Sequence, residues 1–218
     1  MKRVLSLVLV LMLVLTTIVP AFAEETVSQA TTDLQTYGVI TDAEEATPIT
    51  RAEMAVLYAR LQGKGDVAID YDMPTTLTDL KEGAWYIPWV SYVHAQGWMV
   101  GSDDMFRPDD NISASEANVL LLKALGYEVV WATVDADAAA AGIVLTTADA
   151  TLPLRGEIFT AVRAILDMPM KDATEGTLGT ELALEGYVAP VVEPEVTDLA
   201  IDSVTAPNAQ IGRASCRE

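Results

Sequence analysis

Apolar positions along this chain recur at helical spacing and are interrupted by glycines. Residues 33–61 read as a short helix closed by Gly38, a turn-rich loop, and a second helix with Met54 and Leu61 on its apolar side. Residues 137–165 repeat that layout without a gap. Asp33, Gly38, Arg51 and Glu53 fall on Asp137, Gly142, Arg155 and Glu157, and the pairs Met54/Ile158 and Leu61/Ile165 stay in register. A fuller copy lies between them, from Thr78 to Gly126. There Trp85, Trp89, Tyr92, Val93 and Gln96 are spaced i, i+4, i+7, i+8 and i+11, one face of a helix. Pro88 suits its first turn, where a missing N–H costs little, and Gly97 ends it. A loop from Gly101 to Asn111 leads to a second helix from Ser113, with Ala117, Leu120, Leu121 and Ala124 on one side and Gly126 as its stop. Strand patterns are scarce over residues 24–170, so the predicted class is all-α, in three helix–loop–helix units spanning 24–65, 74–127 and 128–171. A single such pair cannot bury its own apolar face, so the units must share a core.

Both ends depart from this pattern. Lys2 and Arg3 precede an apolar run from Val4 to Val19, then Pro20 and the small-x-small triplet Ala21-Phe22-Ala23, which predicts a cleaved export signal over 1–23 and a mature start at Glu24. The run is shorter than the roughly 20 residues a membrane span needs, so no membrane partner is expected after cleavage. Residues 172–196 lose the helix-pair pattern and read as an acidic, proline-spaced linker. Residues 197–210 alternate like the opening strand of an immunoglobulin-like β domain. The last eight, 211–218, resemble the translation of a widely used sequencing adapter, which predicts that the β segment is cut short.

Charge and residue inventory narrow the chemistry. The whole chain carries −19, and residues 24–210 hold nine basic against 31 acidic side chains, a balance of −22. Such a field repels phosphate and disfavours nucleic acid or anionic membrane, so any anionic ligand needs a local cluster of donors. Cys216, the one cysteine, lies in the adapter-like tail, and His94 is the one histidine, so neither a Cys/His metal cluster nor a Ser-His-Asp set can be assembled. Asp103, Asp104, Asp109, Asp110 and Asn111 crowd one loop but lack the D-x-D-x-D-G spacing of a calcium loop and read as a solvated turn. No cofactor, metal or catalytic residue is expected, and the chain reads as non-enzymatic.

Thr78-Asp79-Leu80, Trp85, Gly97, Gly101, Phe106-Arg107-Pro108 and the helix start Ser113 to Glu116 resemble the S-layer homology repeat. The first unit carries the family's motif as Ile49-Thr50-Arg51-Ala52-Glu53; the third is degenerate. The resemblance covers roughly residues 26–170. It implies three repeats in a pseudo-threefold helical bundle, which bind secondary cell-wall polysaccharide, often bearing ketal-linked pyruvate, in grooves between repeats. A secreted protein is thereby attached non-covalently to a Gram-positive-type wall. Two alternatives stay open: the unit addresses a secreted enzyme whose catalytic domain lies further on, or it anchors a lattice protein that self-associates through a C-terminal part.

The motif divides physically. Thr50 with Glu53, and Ser113 with Glu116, each fit a capping box, the hydroxyl accepting from the third helical amide and the carboxylate reaching back to the cap amide. Arg51 sits against the positive end of the helix dipole, which helix formation does not explain. Beside free helix-end amides it would form a carboxylate receptor; an ion pair with a neighbouring acid would also satisfy it. The third unit keeps Arg155 and Glu157 but has Leu154 at the cap; the second has Ala114 where arginine belongs. Trp85 and Trp89 read first as core. On the resemblance, Trp85 and Gly101 join Arg51, Arg155, Thr50 and Glu53 as the candidate glycan-binding set, with the main site around Arg51.

Overall fold

A computed structural model describes residues 27–145 and 152–191. The export signal, the β segment and the adapter-like tail lie outside the described residues. Among the described residues the structure is helical, and β-type pairing is confined to isolated bridges. In chain order the helices are α1 (Gln29–Thr36), α2 (Arg51–Leu61), α3 (Gly65–Ile69), α4 (Ile87–Ala95), α5 (Ala114–Ala124), α6 (Val134–Ala140), α7 (Arg155–Leu166) and α8 (Leu178–Glu181), with a 3₁₀ turn over Trp131–Thr133.

Local chemistry sets the boundaries. Gly38, Gly97 and Gly142 follow α1, α4 and α6 with φ of 71°, 68° and 84°, the left-handed conformation that closes a helix and is open to glycine without steric penalty. Both capping boxes form in full: Thr50 Oγ1 accepts from the Glu53 amide at 3.2 Å and Glu53 Oε2 accepts from the Thr50 amide at 2.8 Å, with 3.2 and 3.0 Å for Ser113 and Glu116. At α7 only half a box exists. The Leu154 amide donates to Glu157 Oε2 at 2.8 Å, and leucine has no oxygen to return the bond.

The first helix of each segment packs against the second helix of a neighbour. α4 lies on α2, α6 on α5, and α1 on α7, so the N-terminal helix closes the arrangement onto the last long one. Arg163 Nε of α7 bonds Asp33 Oδ2 of α1 at 2.7 Å. Glu45 accepts from the amide and hydroxyl of Ser28 at the start of α1, while its own carbonyl accepts from Gly156 at the start of α7. Tyr58, Phe106, Phe159, Leu34, Met54 and Leu121 fill one continuous core.

Two expectations are corrected. The aromatic helix begins at Ile87, so Trp85 stands in the turn before it, 60% exposed, while Trp89 is buried. Proline at the second helical position sets where α4 can begin, and Trp85 is left outside the i+4 stripe. Residues 172–187, expected as part of a linker over 172–196, fold back onto the helices. Leu178 is buried against α7, and the Tyr187 hydroxyl lies 2.8 Å from the Leu166 carbonyl and 2.9 Å from both Asp167 Oδ1 and Thr177 Oγ1. Short apolar positions (Leu178, Leu182, Leu184, Tyr187) drive this strap home without a helical repeat to announce it.

Candidate functional site

The helix-end amides are not free. Arg51 and Ala52 donate their amides to the carbonyls of Asp110 and Pro108, and Arg155 and Gly156 donate theirs to Thr47 and Glu45. Both α2 and α7 thus start against the loop of another segment, which takes up orphan donors of their first turns. The expected receptor of guanidinium plus open amides is replaced by guanidinium alone.

Both arginines cross between segments to a capping-box glutamate. Glu116 divides its carboxylate: Oε2 serves the Ser113 cap, while Oε1 receives Arg51 Nη1 at 2.5 Å and Arg107 Nη2 at 3.0 Å. Glu53 does the same, Oε2 on Thr50 and Oε1 on Arg155 Nη2. The two glutamates are therefore both caps and inter-segment struts. Burial works against the Glu116 charge, but the Ser113 amide, Arg51 and Arg107 outweigh it and hold its pKa below the ordinary 4.5. Arg51 is 4% exposed; burial lowers its pKa below the usual guanidinium range, with Glu116 opposing. Its Nε donates to the Phe106 carbonyl at 2.8 Å and Nη2 to Val100 at 3.3 Å, and its guanidinium stacks 5.0 Å from the Phe106 ring centre.

Two surface grooves form around these pairs. One, of about 360 Å³, holds Arg51, Arg107, Lys123, Glu116, Gly101 and Trp131. The other, of about 430 Å³, holds Arg155, Arg60, Glu53, Asp42, Trp85 and Trp89. They match position for position: Arg60 and Lys123 each stand seven residues after the strut glutamate, and Trp85 and Trp131 are 60% and 62% exposed at the rim. At the third equivalent position Ala114 replaces the arginine and Ala164 the second cation, so the pair of cations that marks the other two grooves is missing there. Each groove takes its arginine, its glutamate and its rim tryptophan from three different segments.

The sequence set is thus split between the grooves. Arg155, Glu53 and Trp85 meet in one; Arg51 and Gly101 meet in the other; Thr50 supports Glu53 from behind as its cap. Gly101 has a backbone reason to be glycine, since a Cβ there would stand 1.9 Å from the Met105 carbonyl. Arg60, Lys123, Trp131 and Arg107 were missed. The signal was the common seven-residue step from glutamate to cation, visible once the two capping boxes are aligned. Among the described residues no group of three or more His, Cys, Asp or Glu side chains is placed to hold a metal, and no helix is long and apolar enough to cross a membrane.

No protein-family model matches the chain. Over 81 residues, 37% of its length, it is 33% identical to a surface layer protein of Brevibacillus choshinensis and likewise to a middle cell wall protein of Brevibacillus brevis. The matched stretch is 7% and 8% of those proteins, so the chain spans less than a tenth of the length of the curated relatives it matches. This similarity supports a secreted, cell-wall or cell-surface location.

Proposed function

We propose that the three helical segments are S-layer-homology-type repeats in a pseudo-threefold bundle, and that the bundle anchors a secreted protein non-covalently to the cell wall. Its ligand is a secondary wall polysaccharide, plain or pyruvylated, bound in the grooves between repeats. One observation carries this reading. In a stretch with a charge of −22, five of the nine basic residues (Arg51, Arg107, Lys123, Arg60 and Arg155) line just two grooves, each with an exposed tryptophan at its rim. Cations gathered locally against an adverse overall field fit an acidic ligand, and a flat aromatic face beside them fits the apolar face of a sugar ring.

The relative named as a surface layer protein favours one further role: the same anchor holds a lattice-forming protein that self-associates through its C-terminal part. Neither role calls for catalysis. The test is co-sedimentation of the chain from Glu24 onward with purified wall, before and after chemical removal of the secondary polysaccharide. Binding that disappears with the polysaccharide supports the anchor; equal binding to stripped wall, or none to intact wall, refutes it.

A further inference from the structure

The two grooves share one plan but differ in how many donors remain uncommitted. Resting on the wall-glycan reading above, we propose that the acidic group of the ligand is held in the Arg155 groove, by Arg155 and Arg60, and that Arg51 is a structural tie.

Formal charge alone would favour the Arg51 groove, which sets Arg51, Arg107 and Lys123 against Glu116, whereas Arg155 and Arg60 face Glu53 and Asp42. Hydrogen bonding reverses that order. Arg51 is engaged through Nε, Nη1 and Nη2; Arg107 pairs with Glu116 and Asp110; Lys123 Nζ donates to the Gly97 and Trp98 carbonyls at 3.2 and 3.1 Å. A carboxylate entering there would have to displace existing partners. In the other groove Arg155, 9% exposed, has an Nε with no acceptor among the described residues, and its Nη1 meets only the exposed Asp42 among them, at 3.5 Å. Among the described residues Arg60 has no carboxylate within ion-pair distance. Its guanidinium lies 5.3 Å from the Trp89 ring centre, and Nη1 reaches Thr41 Oγ1 at the limiting distance of 3.5 Å.

The difference has a cause in the sequence. From Gly97 to Ile112 the second segment runs four residues longer than the equivalent stretch from Gly38 to Ile49. The extra four are the Ser102–Met105 turn, which folds the loop so that the Phe106 carbonyl meets Arg51 Nε. The first segment lacks that turn, and Arg155 Nε is left without the corresponding carbonyl. A buried donor without a partner is costly, and a ligand carboxylate relieves that cost while gaining a charge-assisted bond.

The Arg155 groove also continues. Arg60, Ile69 and Trp89 line a second cavity, of about 450 Å³, whose far wall is the strap residues Leu182 to Glu185. The ligand class is therefore an oligosaccharide with an acidic substituent: the acid on Arg155 and Arg60, neighbouring sugars along Trp85 and toward the strap.

Arg60→Ala and Lys123→Ala remove the equivalent cation from each groove and leave every ion pair intact. Isotherms on intact wall should show Arg60→Ala binding about tenfold more weakly and Lys123→Ala within about twofold of wild type, with unchanged unfolding midpoints for Arg60→Ala. Equal or greater loss in Lys123→Ala, or wild-type binding in Arg60→Ala, overturns the assignment while the anchor reading stands. Wild-type binding that survives stripping of the polysaccharide refutes the anchor reading and this assignment together.

Discussion

At the scale of the residue, each capping-box glutamate does two jobs with two oxygens, and substitutions can separate them. Thr50→Ala removes a cap acceptor and should lower stability by about 1 kcal/mol, read as a shift in the urea midpoint. Leu154→Thr should do the reverse. Glu157 already supplies half of a box at α7, and a hydroxyl at the cap would complete it, raising stability by about 0.5–1 kcal/mol. Arg51→Ala is of another order. It leaves Glu116 half-buried without its principal cation and orphans two carbonyls, so about 3 kcal/mol is expected, with the unfolding midpoint as the readout. A loss under about 1 kcal/mol would show that Arg51 does not tie the segments.

Among the elements, what was legible in the chain was what local chemistry dictates. Glycines at 38, 97 and 142 and the Thr50 and Ser113 boxes placed the helix ends, and the equal 104-residue step from Arg51 to Arg155 placed the first and third segments in register. What was not legible depended on non-local partners. The amides of Arg51 and Arg155 are satisfied by loops of other segments, and the fate of Arg51 turns on a four-residue difference in loop length. The strap escaped because its four apolar anchors follow no period of their own. Its tightest contact is testable. A Cβ on Gly179 would lie 2.5 Å from the Tyr187 ring, so Gly179→Ala should lift the strap and deprotect the Leu166–Asp167 region to hydrogen exchange. Tyr187→Phe keeps the ring against Tyr37, 5.8 Å away, and loses only the hydroxyl, for about 1 kcal/mol.

Over the whole molecule, two electrostatic effects oppose each other as pH falls. The excess of acid repels itself when compact, so protonating unpaired carboxylates relieves strain between pH 7 and the carboxylate range. Three paired carboxylates resist. Asp33 is held below 3.8, first by the hydrogen bond from Arg163; Glu45 is held below 4.5 by Ser28 and Thr31; Glu116 is held below 4.5 by Ser113, Arg51 and Arg107 despite its burial. Folded-state values below the unfolded ones mean that these groups contribute in full above the unfolded pKa and lose that contribution as pH falls through the folded one. Asp33 joins α1 to α7 through Arg163, Glu45 ties the start of α1 to the loop that follows it, and Glu116 joins the first segment to the second, so their protonation loosens three separate contacts over the same pH range. The urea midpoint should therefore rise gently from pH 7 to about pH 5 and then fall below about pH 4. Glu116→Gln, which cannot titrate, should start lower and fall less steeply over the acid limb. A midpoint for Glu116→Gln that parallels wild type down to pH 3 would mean that the Arg51–Glu116 strut carries none of the acid sensitivity, and that the Asp33 and Glu45 contacts which hold α1 account for it.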